Sequence, residues 1–178
     1  MMKDNLVVGG LAFLLVISTI FNASNAEAIK QKEMLANIST PAILKMPEPM
    51  KILQKYEDAE TLNPEQCKEL LSAIGFKGKA LRMAWTVAQK ESNCRPMAIN
   101  NNTKTGDNSY GIFQINMIGD LGMERLEKFN LKSKKELFDP VTNARIAFHM
   151  SNQGENWSSW TYINGERFKE LWQEFPKV

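Results

Sequence analysis

From about residue 61 onward, apolar and polar positions follow a helical period, and its interruptions fall on residues that start or stop helices. Thr61-Leu62-Asn63-Pro64-Glu65 offers a cap followed by proline at the first helical position, and Gly75 closes that helix. A second helix is predicted over residues 79–92. Leu81, Ala84, Trp85, Ala88 and Glu91 recur along it at three- and four-residue steps, whereas Lys79, Arg82, Thr86, Gln89 and Lys90 take the opposite side. Glu91 therefore belongs to the apolar stripe, in the last turn. A polar, Asn-rich loop (93–108) follows, then a short β-branched and aromatic run over 110–116, too brief for a stand-alone sheet. Helices resume over 121–129, from the Asp139-Pro140 cap to about residue 152 with a stop at Gly154, and over 166–175. The pattern predicts a mainly α fold of the α+β kind, a helical bundle around the helix carrying Glu91, with one short β segment.

The first 60 residues are organised differently. Residues 1–26 read as an export signal, with Lys3 in the n-region, an uncharged apolar block over 6–21 and a small-residue cleavage site at Ser24-Asn25-Ala26; Ala26-Glu27-Ala28 is an equally good site. The competing reading is a retained anchor in the inner membrane, since no charge occurs from Asn5 to Ala26. Gly9, Gly10 and the polar residues 22–25 leave the block short of the roughly 20 apolar residues a span needs. Either way the domain is expected beyond the inner membrane, periplasmic or secreted. Residues 27–60 are Lys/Glu-rich with Pro41, Pro47 and Pro49, which predicts one amphipathic helix and an extended linker, a tether or a flap on the domain. Residues 61–178 form the expected domain.

Composition narrows the function mainly by exclusion. With 178 residues, 43% hydrophobic and 24% charged, the chain suits one core plus an extension. A formal charge of +2 is too weak to argue for nucleic acid as a partner. His149 is the single histidine and Cys67 and Cys94 are the two cysteines, so a zinc site would need nearly every ligand of that type; no metal or cofactor is expected.

Glu91 is the candidate for chemistry. A carboxyl on the buried face at the C-terminal end of a helix is disfavoured as an anion by desolvation and by the negative end of the helix dipole, and a general acid has to be protonated when its substrate arrives. The bland alternative has Glu91 turning outward at a frayed end, or pairing with Lys90 or Arg95. Its surroundings decide between the two. Glu91-Ser92 followed by Ser109-Tyr110-Gly111-Ile112-Phe113-Gln114 resembles the soluble lytic transglycosylase and goose-type-lysozyme-like family, in which a Glu-Ser helix end precedes a Ser-x-Gly-hydrophobic-hydrophobic-Gln segment. Residues 105–109, Gly122 to Arg125, Asp139-Pro140 and Asn143 resemble its phage and plasmid-transfer branches. Together these motifs cover residues 70–165.

The resemblance implies a lysozyme-like fold and a peptidoglycan lytic transglycosylase. Glu91 would be the sole acid/base, protonating the oxygen between MurNAc and GlcNAc and then taking the proton of the MurNAc 6-hydroxyl as a 1,6-anhydro ring closes. Partners implied are peptidoglycan glycan strands and, in the phage or transfer branches, virion or secretion-channel components. A hydrolytic lysozyme would need a second carboxylate, about 5 to 5.5 Å or about 6.5 to 9.5 Å away according to stereochemistry. Asp107 is the candidate, although an acidic residue in a Gly-flanked loop also serves turns.

For substrate binding, Gln114 and Asn116 are read as lying on one side of the strand and offering amides to sugars, Gly111 as letting backbone approach the sugar, and Ser109 and Tyr110 as flanking the acid. Trp157 and Trp160 are candidate stacking platforms, with core packing as the alternative. Tyr162 is the candidate for the family's active-site tyrosine, although the usual Ala-Tyr-Asn-Ala-Gly stretch is absent. A Cys67–Cys94 disulfide, in an oxidising compartment, would close a loop of about 27 residues. Two further readings stay open: a cell-wall peptidase with Cys94 as nucleophile and His149 as base, and a glycan-binding virion module without turnover.

Overall fold

The computed structural model describes residues 48–102, 104–161 and 165–177. The segment read as an export signal, most of the extension and Tyr162 lie outside the described residues. Among those described, no helix is long and apolar enough to cross a membrane.

Among the described residues six α-helices accompany one small sheet. α1 (Glu48–Tyr56) falls where an extended linker was expected, and packs on the domain. Tyr56 is buried at its end, and its hydroxyl donates to Glu69 on the next helix, which also pairs with Lys55 at 2.9 Å. α2 (Pro64–Ile74) starts as its residues dictate. Asn63 Oδ1 accepts from the Gln66 amide at 2.8 Å and Gln66 returns the bond to the Asn63 amide at 2.9 Å, satisfying two of the donors that a helix start leaves unpaired. Gly75, at φ 127°, turns the chain out of α2, a conformation open to a residue without Cβ.

α3 (Gly78–Ser92) is the central element, flanked by α2 and by the last helix, α6 (Glu166–Glu174). Every residue from Ala84 to Gln89 is buried, so α3 is not the two-sided helix its periodicity predicts. Thr86 and Gln89, expected on the polar side, are covered as well. Thr86 tolerates this because its hydroxyl donates to the Arg82 carbonyl at 2.7 Å. Arg82 in turn donates Nε to the Trp172 carbonyl of α6 at 2.9 Å and lies over the Trp172 ring, 4.5 Å from its centroid.

The segment read as one strand over 110–116 is a hairpin. β1 (Ile99–Asn100), β2 (Ser109–Tyr110) and β3 (Ile115–Asn116) form an antiparallel sheet in that order, with Ser109 opposite Asn116 and Tyr110 opposite Ile115. Between β2 and β3 the chain reverses over residues 111–114, with positive φ at Gly111 (74°) and Gln114 (48°). Ile112 and Phe113 in this turn are fully buried. Its apolar tip points into the core, which a strand alternating between two faces does not allow.

α4 (Gly119–Lys128) leads to a 3-10 turn (Lys134–Phe138) and then α5 (Pro140–Met150), whose start Asp139 caps by accepting from the Val141 and Thr142 amides at 3.2 and 2.8 Å. α5 stops at Met150, short of the predicted end, because Asn152 and Gln153 adopt positive φ before Gly154. The core between these elements contains an aromatic cluster: Trp157 stacks on Phe76 and Phe113 at 6.0 and 6.2 Å, and Phe148 meets Phe76 edge-on at 4.9 Å.

Candidate active site

Glu91 occupies the last turn of α3, and the backbone just beyond it is fixed in three ways. Asn93 and Cys94 turn the chain in the left-handed region (φ 55° and 54°), with their amides bonded to the Gln89 and Ala88 carbonyls. Cys94 is joined to Cys67 of α2, a separation of 27 residues, and both sulfurs are fully buried. Arg95 donates Nε to the Ser92 carbonyl at 2.9 Å, a cation placed at the negative end of the helix.

The Glu91 carboxyl is half-buried, its side chain 20% exposed, and Oε1 lies 2.8 Å from Lys90 Nζ. Lys90, rather than Arg95, is its partner. Adjacent helical residues do not face each other, so the two side chains bend together at the helix end. Desolvation is thus partial, and the apolar stripe ends on an ion pair.

Ser92 links the acid to the hairpin. Its hydroxyl donates to the Ile112 carbonyl at 2.7 Å. The same turn is gripped elsewhere: Asn143 of α5 accepts from the Phe113 amide at 3.0 Å and donates to the Tyr110 and Leu137 carbonyls, both at 2.9 Å. The Trp160 indole donates to the Phe113 carbonyl at 2.9 Å, and Gln114 Nε2 donates to the Ala98 and Gly111 carbonyls at 3.2 and 2.9 Å. The structure therefore brings the Glu-Ser helix end and the hairpin turn together through side chains from α3, α5 and the segment after α5.

Several binding candidates are themselves engaged within the protein. A Cβ on Gly111 would collide with Asn143 Nδ2 and the Leu137 carbonyl, so glycine permits the close approach of Asn143 here. Ser109 and Tyr110 are buried in β2, and the Tyr110 hydroxyl donates to Asn108 at 2.7 Å. Asn116 accepts from the Asn108 and Ile118 amides and donates to the Gly106 carbonyl, which commits its amide to its own loop. Trp157 is 5% exposed, packed against both Phe76 and Phe113 with its indole N–H on the Gly154 carbonyl, and so is buried in the aromatic cluster. Trp160 is buried beside it. Gln114 is half-buried at the end of the turn, and among the described residues its amide oxygen receives no donor.

Asp107 accepts from the Thr105 hydroxyl at 2.5 Å while its amide donates to the Asn102 carbonyl at 3.0 Å, the pattern of a loop-forming residue. The peptidase reading falls: Cys94 is in a disulfide and has no thiol, and His149 is an exposed residue packed edge-on against Phe129 at 5.5 Å. Among the described residues no group of three or more His, Cys, Asp or Glu is placed to hold a metal.

Two residues escaped sequence reasoning in these roles, Asn143 and Trp160 as holders of the turn, whereas Lys90 was one of the two partners the sequence offered for Glu91. A signal existed for Asn143. It lies on the apolar side of α5 with Pro140, Ala144 and Ala147, and a polar residue on a buried face must find partners.

Burial also acts on Arg125 of α4, pushing its guanidinium below its ordinary value; this group donates to the Asn116 carbonyl and so ties α4 to β3.

Comparison with curated proteins and with solved structures returns no match. The model of the lysozyme-like domain family matches residues 68–162, a stretch that contains all of α3 with Glu91, the three-stranded sheet, α4 and α5. That match spans more than half of the chain, and with the helical fold around a small antiparallel sheet it makes this protein a member of the lysozyme-like family of peptidoglycan-acting glycosidases.

Proposed function

We propose that the protein is a peptidoglycan lytic transglycosylase in which Glu91 acts first as general acid and then as general base. The observation that carries this reading is a half-buried carboxyl at the junction of a buried helix and the hairpin turn, with the other acidic candidate, Asp107, engaged in its own loop. Protonated Glu91 donates to the oxygen linking MurNAc C1 to GlcNAc. The C1–O bond breaks with its electron pair leaving on GlcNAc, and C1 acquires oxocarbenium character. The carboxylate of Glu91 then takes the proton of the MurNAc 6-hydroxyl while that oxygen bonds to C1, closing the 1,6-anhydro ring without water. The proton balance closes on one residue, so no second carboxylate is required.

Lys90 has a part in this sequence. Proton donation requires the Lys90–Glu91 pair to open, and re-forming it stabilises the carboxylate left once the proton has gone. Work beyond the inner membrane, periplasmic or secreted, is supported by the apolar N-terminal segment with Lys3 and by the disulfide, since such bonds persist in oxidising compartments.

The test is digestion of purified peptidoglycan by wild type, Glu91→Gln and Asp107→Asn, with mass spectrometry of the products. Wild type is expected to release fragments lighter by one water, about 18 Da, than hydrolysis products. Glu91→Gln should lower turnover by at least about a hundredfold, and Asp107→Asn should leave most of it. Hydrated ends together with loss of activity in Asp107→Asn would select the hydrolytic lysozyme instead.

A further inference from the structure

The hairpin turn beside Glu91 is held by bonds that reach far along the chain. The Ile112 carbonyl accepts from Ser92, the Phe113 amide donates to Asn143 and the Phe113 carbonyl accepts from Trp160, across 20, 30 and 47 residues. Both polar backbone groups of one fully buried residue are thus taken by side chains of two different elements. Two of the three holders belong to segments that resemble the family motifs. The third, Trp160, comes from the stretch where this chain lacks the usual Ala-Tyr-Asn-Ala-Gly sequence.

We infer that Trp160 is a positioning residue for glycan cleavage, acting through the Phe113 carbonyl and the hairpin turn on the end of α3. This rests on Glu91 being the acid. Trp160 is 7% exposed, so it does not work by stacking on a sugar. Its indole N–H fixes one side of the Phe113 peptide unit. The preceding carbonyl, that of Ile112, is bonded to the residue adjoining Glu91. Loss of the indole bond leaves the Phe113 carbonyl unpaired in the core, and the turn shifts to find another donor. Such a shift pulls the Ile112 carbonyl away from Ser92 and changes where the acid stands relative to the hairpin. Misplacement of a catalytic group by about 1 Å costs on the order of a hundredfold in rate.

Trp157 supplies a matched control. It belongs to the same aromatic cluster, 5.1 Å from Trp160 between ring centroids, and is as well buried, but its indole donates to the Gly154 carbonyl, outside the hairpin. Replacing either tryptophan by phenylalanine keeps an aromatic ring, trims similar volume and removes one buried donor.

The experiment compares full-length Trp160→Phe, Trp157→Phe, Glu91→Gln and wild type for kcat and KM on defined soluble peptidoglycan strands. Circular dichroism sets an assay temperature at which every variant is folded. Trp160→Phe is expected to lose about ten- to a hundredfold in kcat with KM within about twofold of wild type, and Trp157→Phe to keep its kcat. Equal kcat for the two tryptophan variants, or a Trp160→Phe deficit that tracks the folded fraction with temperature, overturns the inference. An active Glu91→Gln overturns the assignment of the acid and this inference with it, whereas an inactive Glu91→Gln beside a fully active Trp160→Phe sinks the positioning role alone.

Discussion

Replacing Asn143 by alanine removes the side chain that joins α5, the 3-10 turn and the hairpin. The side chain is fully buried and makes three hydrogen bonds, one to the Phe113 amide and two from Nδ2 to the Tyr110 and Leu137 carbonyls. Truncation leaves one N–H and two C=O groups without those partners, at about 1–3 kcal/mol for each group that finds no other. Carbonyls tolerate underuse better than amides, so the Phe113 amide is expected to dominate and the total to reach about 4 kcal/mol. That is a large part of the roughly 5–15 kcal/mol that stabilises a domain. Asn143→Asp separates hydrogen bonding from space filling. It is nearly isosteric and keeps the acceptor for Phe113, but sets a second oxygen against two carbonyl oxygens and buries a charge, so it should destabilise at least as much as alanine. Urea unfolding followed by tryptophan fluorescence measures both. An alanine variant within about 1 kcal/mol of wild type, or an aspartate variant clearly milder than alanine, would refute the account of Asn143 as the hub of this junction.

Other outcomes are equally open to measurement. Replacing both Cys67 and Cys94 by alanine opens a loop of 27 residues and should lower stability by about 3.5 kcal/mol in the chain-entropy estimate; calorimetry under non-reducing conditions showing no change would refute this. Glu69 has its carboxyl held below the ordinary value of 4.5, first by the Tyr56 hydroxyl and then by Lys55. Its contribution is therefore present above that value and lost as pH falls through the lower, folded one. The thermal midpoints of wild type and Glu69→Gln should differ at about pH 7 and draw together as pH falls below the lowered folded value, and a gap of constant size would show that the contact is not linked to Glu69 ionisation. Tyr56 is raised above its ordinary 10.0, by burial and then by its bond to Glu69, so the same α1–α2 contact should weaken as pH rises beyond that value. Tyr56→Phe should flatten this alkaline loss of stability.

What the residues determined by themselves is local. The ends of α2 follow from Asn63, Pro64 and Gly75, and the start of α5 from Asp139 and Pro140, because a cap bonds within three or four positions of itself. The place of Glu91 in the last turn of a helix, on its apolar stripe, is legible from the same local pattern, and the Glu-Ser and Ser-x-Gly-x-x-Gln segments carry the family resemblance. Tertiary structure decided the rest. Periodicity assigned Thr86 and Gln89 to a solvent face, yet the elements packed around α3 cover every residue from Ala84 to Gln89. The run over 110–116 has the composition of a strand, but positive φ at Gly111 and Gln114 folds it into a hairpin whose tip is buried. Gly111, Asn116 and Trp157 carry the residue types of a sugar site and are engaged by Asn143, by the 106–118 loop and by the aromatic core. Whether a polar or aromatic side chain is free for a ligand depends on what the rest of the chain brings to it. Asn143 and Trp160 reach the Phe113 peptide from 30 and 47 residues away, contacts that no local pattern encodes and that only the closed core brings within bonding distance.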